Sequence, residues 1–435
     1  MSGDNSDMTE FQRLKGFRDF LPEEMEARTE VFDRMEEAVR SFGFREIDTP
    51  SLEPLDLFLV KSGEELVEQT YSFEDKGGRD VTMVPEQTPS RARLLANRRD
   101  LNLPVKWYST SKRWRYESPQ KGRLREFYQT DIDIFGTDSV QADAEILAVT
   151  AEIMQALEVL DSVDILVNDR RLLEGILESY DISKKEEVMQ VIDDREKMEE
   201  AEFLEELQEL GLEEVEAENV NELTSIAGPI TEKLPEVEEL APEGEEAEEA
   251  VDRMKDLSAA LESYGVSGNV KLDLSIVRGL AYYTGLVFEV FDTEGDLRAV
   301  CGGGRYDELV GLFGGEEVPA VGFAIGDAVI EELMRREGVW PGEELETDVY
   351  VLPVSEEVRE DALEIVEELR GEGLTVETDL MGRSVSSQFD YADSIGAERV
   401  VVVGERDLEN DEVTVKDMES GEEVRVPLSR IPEGF

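Results

Sequence analysis

The stretch Ser111–Gly136, SKRWRYESPQKGRLREFYQTDIDIFG, does more than any other to restrict what this chain can fold into. Along LREFYQTDIDIFG the side chains sort with a period of two. Arg125, Phe127, Gln129, Asp131 and Asp133 fall on one face, and Leu124, Glu126, Tyr128, Thr130, Ile132 and Ile134 fall on the other. Successive side chains of a strand point to opposite sides, so the run is a strand with two unlike faces. WRYES and the turn PQKGR before it complete an antiparallel hairpin, and PVKWYST adds a third β-rich run to a larger sheet. At this level the polar face fits a pocket lining and a half-solvated surface about equally well.

The same stretch lies in a charge anomaly. Arg91–Arg125 holds eleven Lys or Arg against two acids, Asp100 and Glu117, in a chain whose 44 basic residues face 106 acidic ones for a net −62. A bound anion accounts for such an island, because guanidinium presents its donors in a planar fork that matches phosphate oxygens. The acid excess elsewhere is the composition of a protein kept soluble in very salty cytoplasm, where the screening length falls to about 3 Å at molar salt. The chain contains no histidine. That excludes imidazole bases, His-ligated metals and Ser–His or Cys–His pairs. The single Cys301 can form no internal disulfide and reads as a small packing residue. No run approaches the roughly 18 apolar residues of a membrane span, and the start, MSGDNSDMTEFQ, is acidic where a signal peptide is basic. A soluble cytoplasmic protein with no membrane partner is expected.

A length of 435 residues suggests about three domains. LPEEMEARTEVFDRMEEAVRSFG reads as an amphipathic helix with Pro22 at its first position and Gly43 as its stop, and GFREIDTPSLEP follows as an edge or interface strand. DVTMV is a short strand and a helix opens near Thr88, which leaves Glu86, Gln87 and Thr88 as a polar tip at a strand end. Residues 170–268 are Glu-dense and aromatic-poor, and read as a helical insertion with solvated acidic faces. The β pattern returns at VKLDLSIVRGLAYYTGLVFEVFD and ends near GVWPGEELETD; beyond it, strands alternate with helices, which implies a small, partly parallel α/β domain. The expected organisation is an α+β domain over 1–169 and 269–340, the helical insertion at 170–268, and a C-terminal α/β domain at 346–435.

There is no GxxxxGK[ST] to cradle phosphates, and CGGGRYD lacks dinucleotide spacing and serves equally well as a tight turn. Arg113, Arg115, Arg123, Arg125 and Arg278 carry more weight. Acids are scarce around the first four, and Arg278 sits in the apolar and aromatic run SIVRGLAYYTG. A buried arginine needs an anionic partner, and a bound phosphate or carboxylate would supply one.

These residues carry a resemblance. KRWRYESPQKGRLREFYQTDIDIFG resembles the second signature motif of class II aminoacyl-tRNA synthetases in the form of the histidyl-tRNA synthetase family. RGLAYYTG resembles that family's first histidine-specific motif and GGGRYDELVGLFGG its second, while KGFRDFLP and GFREIDTP are similar to its N-terminal elements. The match runs essentially end to end. It implies a catalytic domain built on the antiparallel class II synthetase sheet, an anticodon-binding C-terminal domain, and a homodimer. It also implies activation of histidine by ATP with Mg2+, then transfer of the histidyl group to tRNA(His).

Carried over residue by residue, the resemblance gives Arg115 the α-phosphate, Glu117 the adenine amino group, and Arg123 the β- and γ-phosphates. Arg278 takes the place of the family's catalytic arginine. Glu86, Thr88 and Gln129 orient the charged backbone groups of the amino acid, and Asp133, Tyr282 and Tyr283 read the imidazole ring. Three positions depart from the pattern. Val329 stands where the third motif carries an arginine, with Arg305 as the candidate substitute in ATP binding; Ala281 replaces a usual Asp; and Asp133 is shorter than the family's Glu. No protein metal site is assigned. The alternative is a non-charging paralogue that senses histidine as a regulatory subunit of histidine biosynthesis; a stand-alone tRNA-binding module leaves the arginines unexplained. Arg91, Arg93, Arg98 and Arg99 fall outside the nucleotide set and are open to tRNA or a subunit contact.

Overall fold

The computed structural model describes residues 11–60, 69–98, 100–240, 245–278, 282–295, 297–342 and 347–431. Arg99 and Ala281 lie outside the described residues. The chain divides into two units, Met1–Asp19 with Glu30–Trp340, and Phe20–Thr29 with Pro341–Phe435.

The first unit is organised by the strands β1 (Arg45–Glu46), β2 (Leu52–Pro54), β3 (Tyr71–Glu74), β4 (Asp80–Met83), β5 (Val105–Trp114), β6 (Glu126–Phe135), β7 (Val163–Asp169), β8 (Ala227–Pro229), β9 (Val270–Asp273), β10 (Leu286–Asp292), β11 (Cys301–Arg305) and β12 (Ala320–Gly326). Nine of them form one sheet in the order β1-β5-β6-β12-β11-β10-β7-β9-β8, and β2-β4-β3 form a small second sheet. The ladder from β5 to β7 is antiparallel; β1 with β5, and β7 with β9, are parallel. The alternation in β6 is realised. Ile132 and Ile134 enter the main hydrophobic core, while Gln129, Asp131 and Asp133 line a cavity on the other face. The helix Val140–Ala156 covers β6 and β12 from the core side. It is apolar nearly all round, as a helix buried on several sides must be.

Two local expectations change. WRYES is not a second strand: β5 runs unbroken to Trp114, after which Arg115 N–H pairs with Arg125 O and Tyr116 N–H turns away to Gln69 O. CGGGR is a central strand, β11, and not a turn. Its glycines remove side chains from the floor of the site. A Cβ on Gly302 would collide with the Arg278 guanidinium, and one on Gly304 would come within 2.8 Å of the Tyr283 ring.

Among the described residues, 170–268 are mainly helical, as Arg170–Ser179, Lys185–Asp193, Glu200–Glu209, Glu214–Leu223, Ile230–Leu240 and Glu245–Tyr264, with the short strand β8 between two of them. Their buried residues, among them Leu172, Phe203, Val220 and Leu261, belong to the same core as β7 and β9. The acidic positions stay outside because a carboxylate without a partner cannot be buried cheaply.

In the second unit, β13 (Thr347–Pro353), β14 (Val376–Thr378), β15 (Ala397–Val403), β16 (Glu412–Asp417) and β17 (Glu423–Pro427) form a sheet in the order β14-β13-β15-β16-β17. The first three are parallel and the last two antiparallel. The helices Arg359–Gly371 and Val385–Ser394 connect the parallel strands, and the Val-rich runs of β13 and β15 are buried on both faces.

Candidate active site

Two adjoining cavities open along the polar face of the large sheet. The inner one, of about 230 Å³, is lined by Glu86, Thr88, Gln129, Asp133, Tyr282 and Tyr283. The outer one, of about 500 Å³, is lined by Arg115, Glu117, Arg123, Arg298 and Val329. Arg115, Arg278, Phe127 and Glu289 belong to both walls. The structure therefore brings together every predicted site residue except Arg305.

The inner cavity exists because of strand register. In the β6–β12 ladder Gln129 stands opposite Gly326, Asp131 opposite Ala324 and Asp133 opposite Gly322, so each polar side chain faces a residue too small to fill the space before it. The acids are held by arginines from neighbouring elements. Arg113 of β5 binds Asp131 at 2.7 Å. Arg91, from the helix Thr88–Ala96, is fully buried; it binds Asp133, Ser109 Oγ at 2.7 Å and Asp131 O at 3.0 Å. Tyr306 donates its hydroxyl to the other oxygen of Asp133. Burial pushes the Asp133 carboxyl up, and Arg91 and Tyr306 pull against it. A carboxylate offers about four acceptor sites, so Asp133 keeps capacity toward the cavity. The rings of Tyr282, Tyr283 and Tyr306 pack at centroid distances of 5.0 and 5.9 Å, and Tyr282 donates to Glu86 at 3.5 Å. Gln129 Oε1 is buried and has no partner among the described residues.

At the junction, Arg278 pairs with Glu289 at 3.1 Å and donates to Phe288 O at 3.2 Å, while its Nε has no partner among the described residues. Its backbone is left-handed, φ 59°. That conformation is uncommon outside glycine and is held only where neighbours over-determine it. One neighbour comes from the helical segment: Asp193, whose carboxyl is raised by burial, accepts the Arg278 backbone N–H. Arg115 is fixed by Nε donating to Pro85 O at 3.0 Å and by the Phe127 ring beneath it.

In the outer cavity Arg123 pairs with Glu117. Burial lowers the Arg123 guanidinium from its ordinary value, Glu117 holds it up, and the nearby Arg298 and Arg115 push it further down. Val329 packs beneath the turn that carries Arg123, with Cγ2 3.3 Å from where a Cβ on Gly122 would lie.

Arg305 is the correction. It is wholly buried and donates to Asp143 from Nε and Nη2 at 2.9 and 2.6 Å and to Thr137 O at 3.0 Å. It lines neither cavity. A guanidinium saturated by a buried carboxylate has nothing left to offer a phosphate, so the substitution at Val329 is not made good from Arg305. Among the described residues most of the rest of the basic island is likewise spent internally. Arg93 pairs with Glu53, Arg98 with Asp100, Lys106 with Glu145, Lys112 with Glu126 and Lys121 with Glu332. Sequence reasoning missed Arg298, Tyr306 and the part played by Arg91. Tyr306 lay within a motif already singled out, while Arg298 stands in the loop DLRAV with no pattern to mark it.

With the geometry in place, comparison with known proteins is direct. A histidyl-tRNA synthetase family model matches residues 16–328, and an anticodon binding domain model matches residues 348–435. The chain is 47% identical over 429 residues to the Histidine--tRNA ligase of Haloarcula marismortui, covering 98% of each chain. It is 46% identical over 430 residues to that of Halorubrum lacusprofundi, covering 97% of each. The crystal structure of histidyl-tRNA synthetase from Nostoc sp. PCC 7120 superposes with a TM-score of 0.84 at 29% identity, covering 97% of this chain and 98% of that one. A solved ATP phosphoribosyltransferase regulatory subunit/histidyl-tRNA synthetase from Bacillus halodurans C gives a TM-score of 0.74 at 26% identity, covering 88% of this chain and 96% of that one. On the family match, the identities and the superposed fold together, this chain belongs to the histidyl-tRNA synthetase family.

Proposed function

We propose that this chain activates histidine with ATP and transfers the histidyl group to tRNA(His). The observation that carries the reading is the pair of joined cavities, one acidic and aromatic, the other walled by guanidinium groups, meeting at Arg115 and Arg278. Glu86, Thr88 and the unpartnered Oε1 of Gln129 suit an α-ammonium group. Asp133 accepts a ring N–H, while Tyr282 and Tyr283 supply the apolar wall and a second polar contact. A site whose buried polar groups pair with ring nitrogens rejects analogues lacking them by as much as about 10⁴–10⁵.

The amino acid carboxylate then lies at the junction. One of its oxygens attacks the α-phosphorus of ATP, the bond to the β-phosphate oxygen breaks, and pyrophosphate leaves into the outer cavity. Arg115 and Arg278 meet the charge that develops at the α-phosphate, Glu117 takes the adenine amino group, and Arg123 the β- and γ-phosphates. In the second step a ribose hydroxyl at the tRNA 3′ end attacks the carbonyl carbon and AMP departs. Among the described residues no cluster of three acidic or sulfur side chains could hold a metal ion alone. Asp193 and Glu289, on the wall of the outer cavity, are the acids that would face Mg2+ arriving on the nucleotide. Bound there, the ion would neutralise phosphate charge.

We assign catalysis to 1–169 with 269–340, the helical insertion to 170–268 and tRNA anticodon contact to 346–435, in a cytoplasmic homodimer. The curated relatives are named as ligases, which favours charging over a regulatory-subunit role. Histidine-dependent ATP–pyrophosphate exchange and tRNA charging, measured in molar KCl, test the proposal. No exchange above background refutes it, and exchange without charging leaves only the activation half.

A further inference from the structure

We infer that Arg298 is a direct ligand of the terminal phosphates of the nucleotide, supplying the cation that Val329 does not. The inference rests on the ATP reading of the outer cavity given above. Three observations carry it. Arg298 lines that cavity together with Arg115, Arg123 and Arg278. It stands between β10 and β11, far in sequence from the hairpin turn that carries Arg123, yet both guanidinium groups line the same space and lie close enough for the charge of one to act on the other. And it is exposed, with no carboxylate partner among the described residues, in a chain with more than two acids for every base.

That last point is the informative one. Arg123 already has Glu117, and Arg278 has Glu289. Around the basic island most of the other described cations have found an acid. Arg298 instead faces other cations, and its field is among the influences that depress Arg123. A guanidinium that lacks its own carboxylate and lies near other cations is unfavourable in the free protein and becomes favourable when a polyanion enters. The position fixes which part of the polyanion. Arg115 and Arg278 stand where the two cavities meet, so the reacting phosphate belongs there; Arg298 lines only the outer cavity, the side to which the leaving pyrophosphate extends. Val329, packed against Gly122, adds only apolar lining.

The test compares Arg298→Ala and Arg123→Ala with the unchanged protein, titrating ATP, pyrophosphate and AMP separately by calorimetry in the presence of Mg2+ at several KCl concentrations. A charge-assisted contact to phosphate is worth enough for about a tenfold loss of affinity or more, reduced as salt rises because the group is exposed. The expected result for Arg298→Ala is that loss for ATP and pyrophosphate with AMP affinity unchanged, partial retention in Arg298→Lys, and partial recovery in Arg298→Ala combined with Val329→Arg. If Arg123→Ala weakens ATP and Arg298→Ala does not, the inference is wrong and the cavity assignment stands. Equal losses for AMP and ATP reduce Arg298 to a structural role, and no loss in either variant removes the ATP reading of the cavity along with the inference.

Discussion

The two cavities use the same side chain in opposite ways. Behind the inner one, Arg91 and Arg113 are buried and paired with Asp133 and Asp131, so their charge is offset before any ligand arrives. In the outer one Arg123 and Arg278 are paired too, but Arg115 and Arg298 have no carboxylate partner among the described residues, and the field of Arg298 is left for a ligand to satisfy. Pairing inside the protein gives position. Leaving charge unpaired gives affinity. A histidine pocket needs polar groups held within a fraction of an ångström, whereas a polyphosphate of high charge tolerates a looser ring of cations.

The comparison breaks most visibly if arginines of the two kinds are removed in turn. Arg91→Met takes one partner from a buried pair and strands the Asp133 carboxylate, which costs about 3–5 kcal/mol. The first unfolding transition in denaturant should fall accordingly, and adding Asp133→Leu should restore much of the loss in stability while leaving histidine binding absent. A variant that lost histidine affinity at unchanged stability would show that Arg91 is not spent on Asp133. Arg278→Gln is expected to act on rate. Removing one preorganised donor at a developing charge costs about 10²–10³ in rate, read as histidine-dependent exchange at saturating ATP and histidine. A loss that disappears at saturation would make Arg278 a binding group only.

What could be read in the sequence divides along the same line. The period of two in β6 placed Gln129, Asp131 and Asp133 on one face because strand geometry is local. The scarcity of acids around Arg115 and Arg123 marked a cationic site because composition is local too. The allocation of arginines to carboxylates is not local. Arg305 and its Asp143 are 162 positions apart, and Arg91 and Asp133 are 42 apart, so nothing in either neighbourhood separates a spent guanidinium from a free one. That is why the sequence alone points Arg305 toward a phosphate and marks nothing at Arg298. The glycines of β11 were equally ambiguous until their place under Arg278 and Tyr283 was known.

A milder test adds charge instead of removing it. If the outer cavity is an unsatisfied cationic site, pyrophosphate alone should stabilise the folded protein, by about 2.7 kcal/mol at one hundred times its dissociation constant. Histidine alone should enter the inner cavity without requiring it. A shift in melting temperature with pyrophosphate that survives in Arg91→Met and vanishes in Arg123→Ala would separate the two cavities thermodynamically; the reverse pattern would merge them.

The smallest expected effect concerns the proton on Asp133. Burial raises this carboxyl, and the hydrogen bond donated by Tyr306 is one of the contacts that holds it down. Tyr306→Phe removes that contact and leaves Arg91 in place, so the Asp133 carboxyl should rise further. Asp133 must be ionised to accept a ring N–H, and activity is therefore lost as pH falls through its pKa; a higher pKa moves the acid limb of exchange to higher pH. The imidazole of free histidine also titrates, at about pH 6.5, but that contribution is common to both proteins and cancels in the difference between their profiles. The displacement should be about one pH unit or less, equivalent to about 1.4 kcal/mol at most. Superimposable acid limbs would mean that Tyr306 shapes the pocket without setting the charge of Asp133, and would shift the reading of the ring from the carboxylate to Tyr282 and Tyr283.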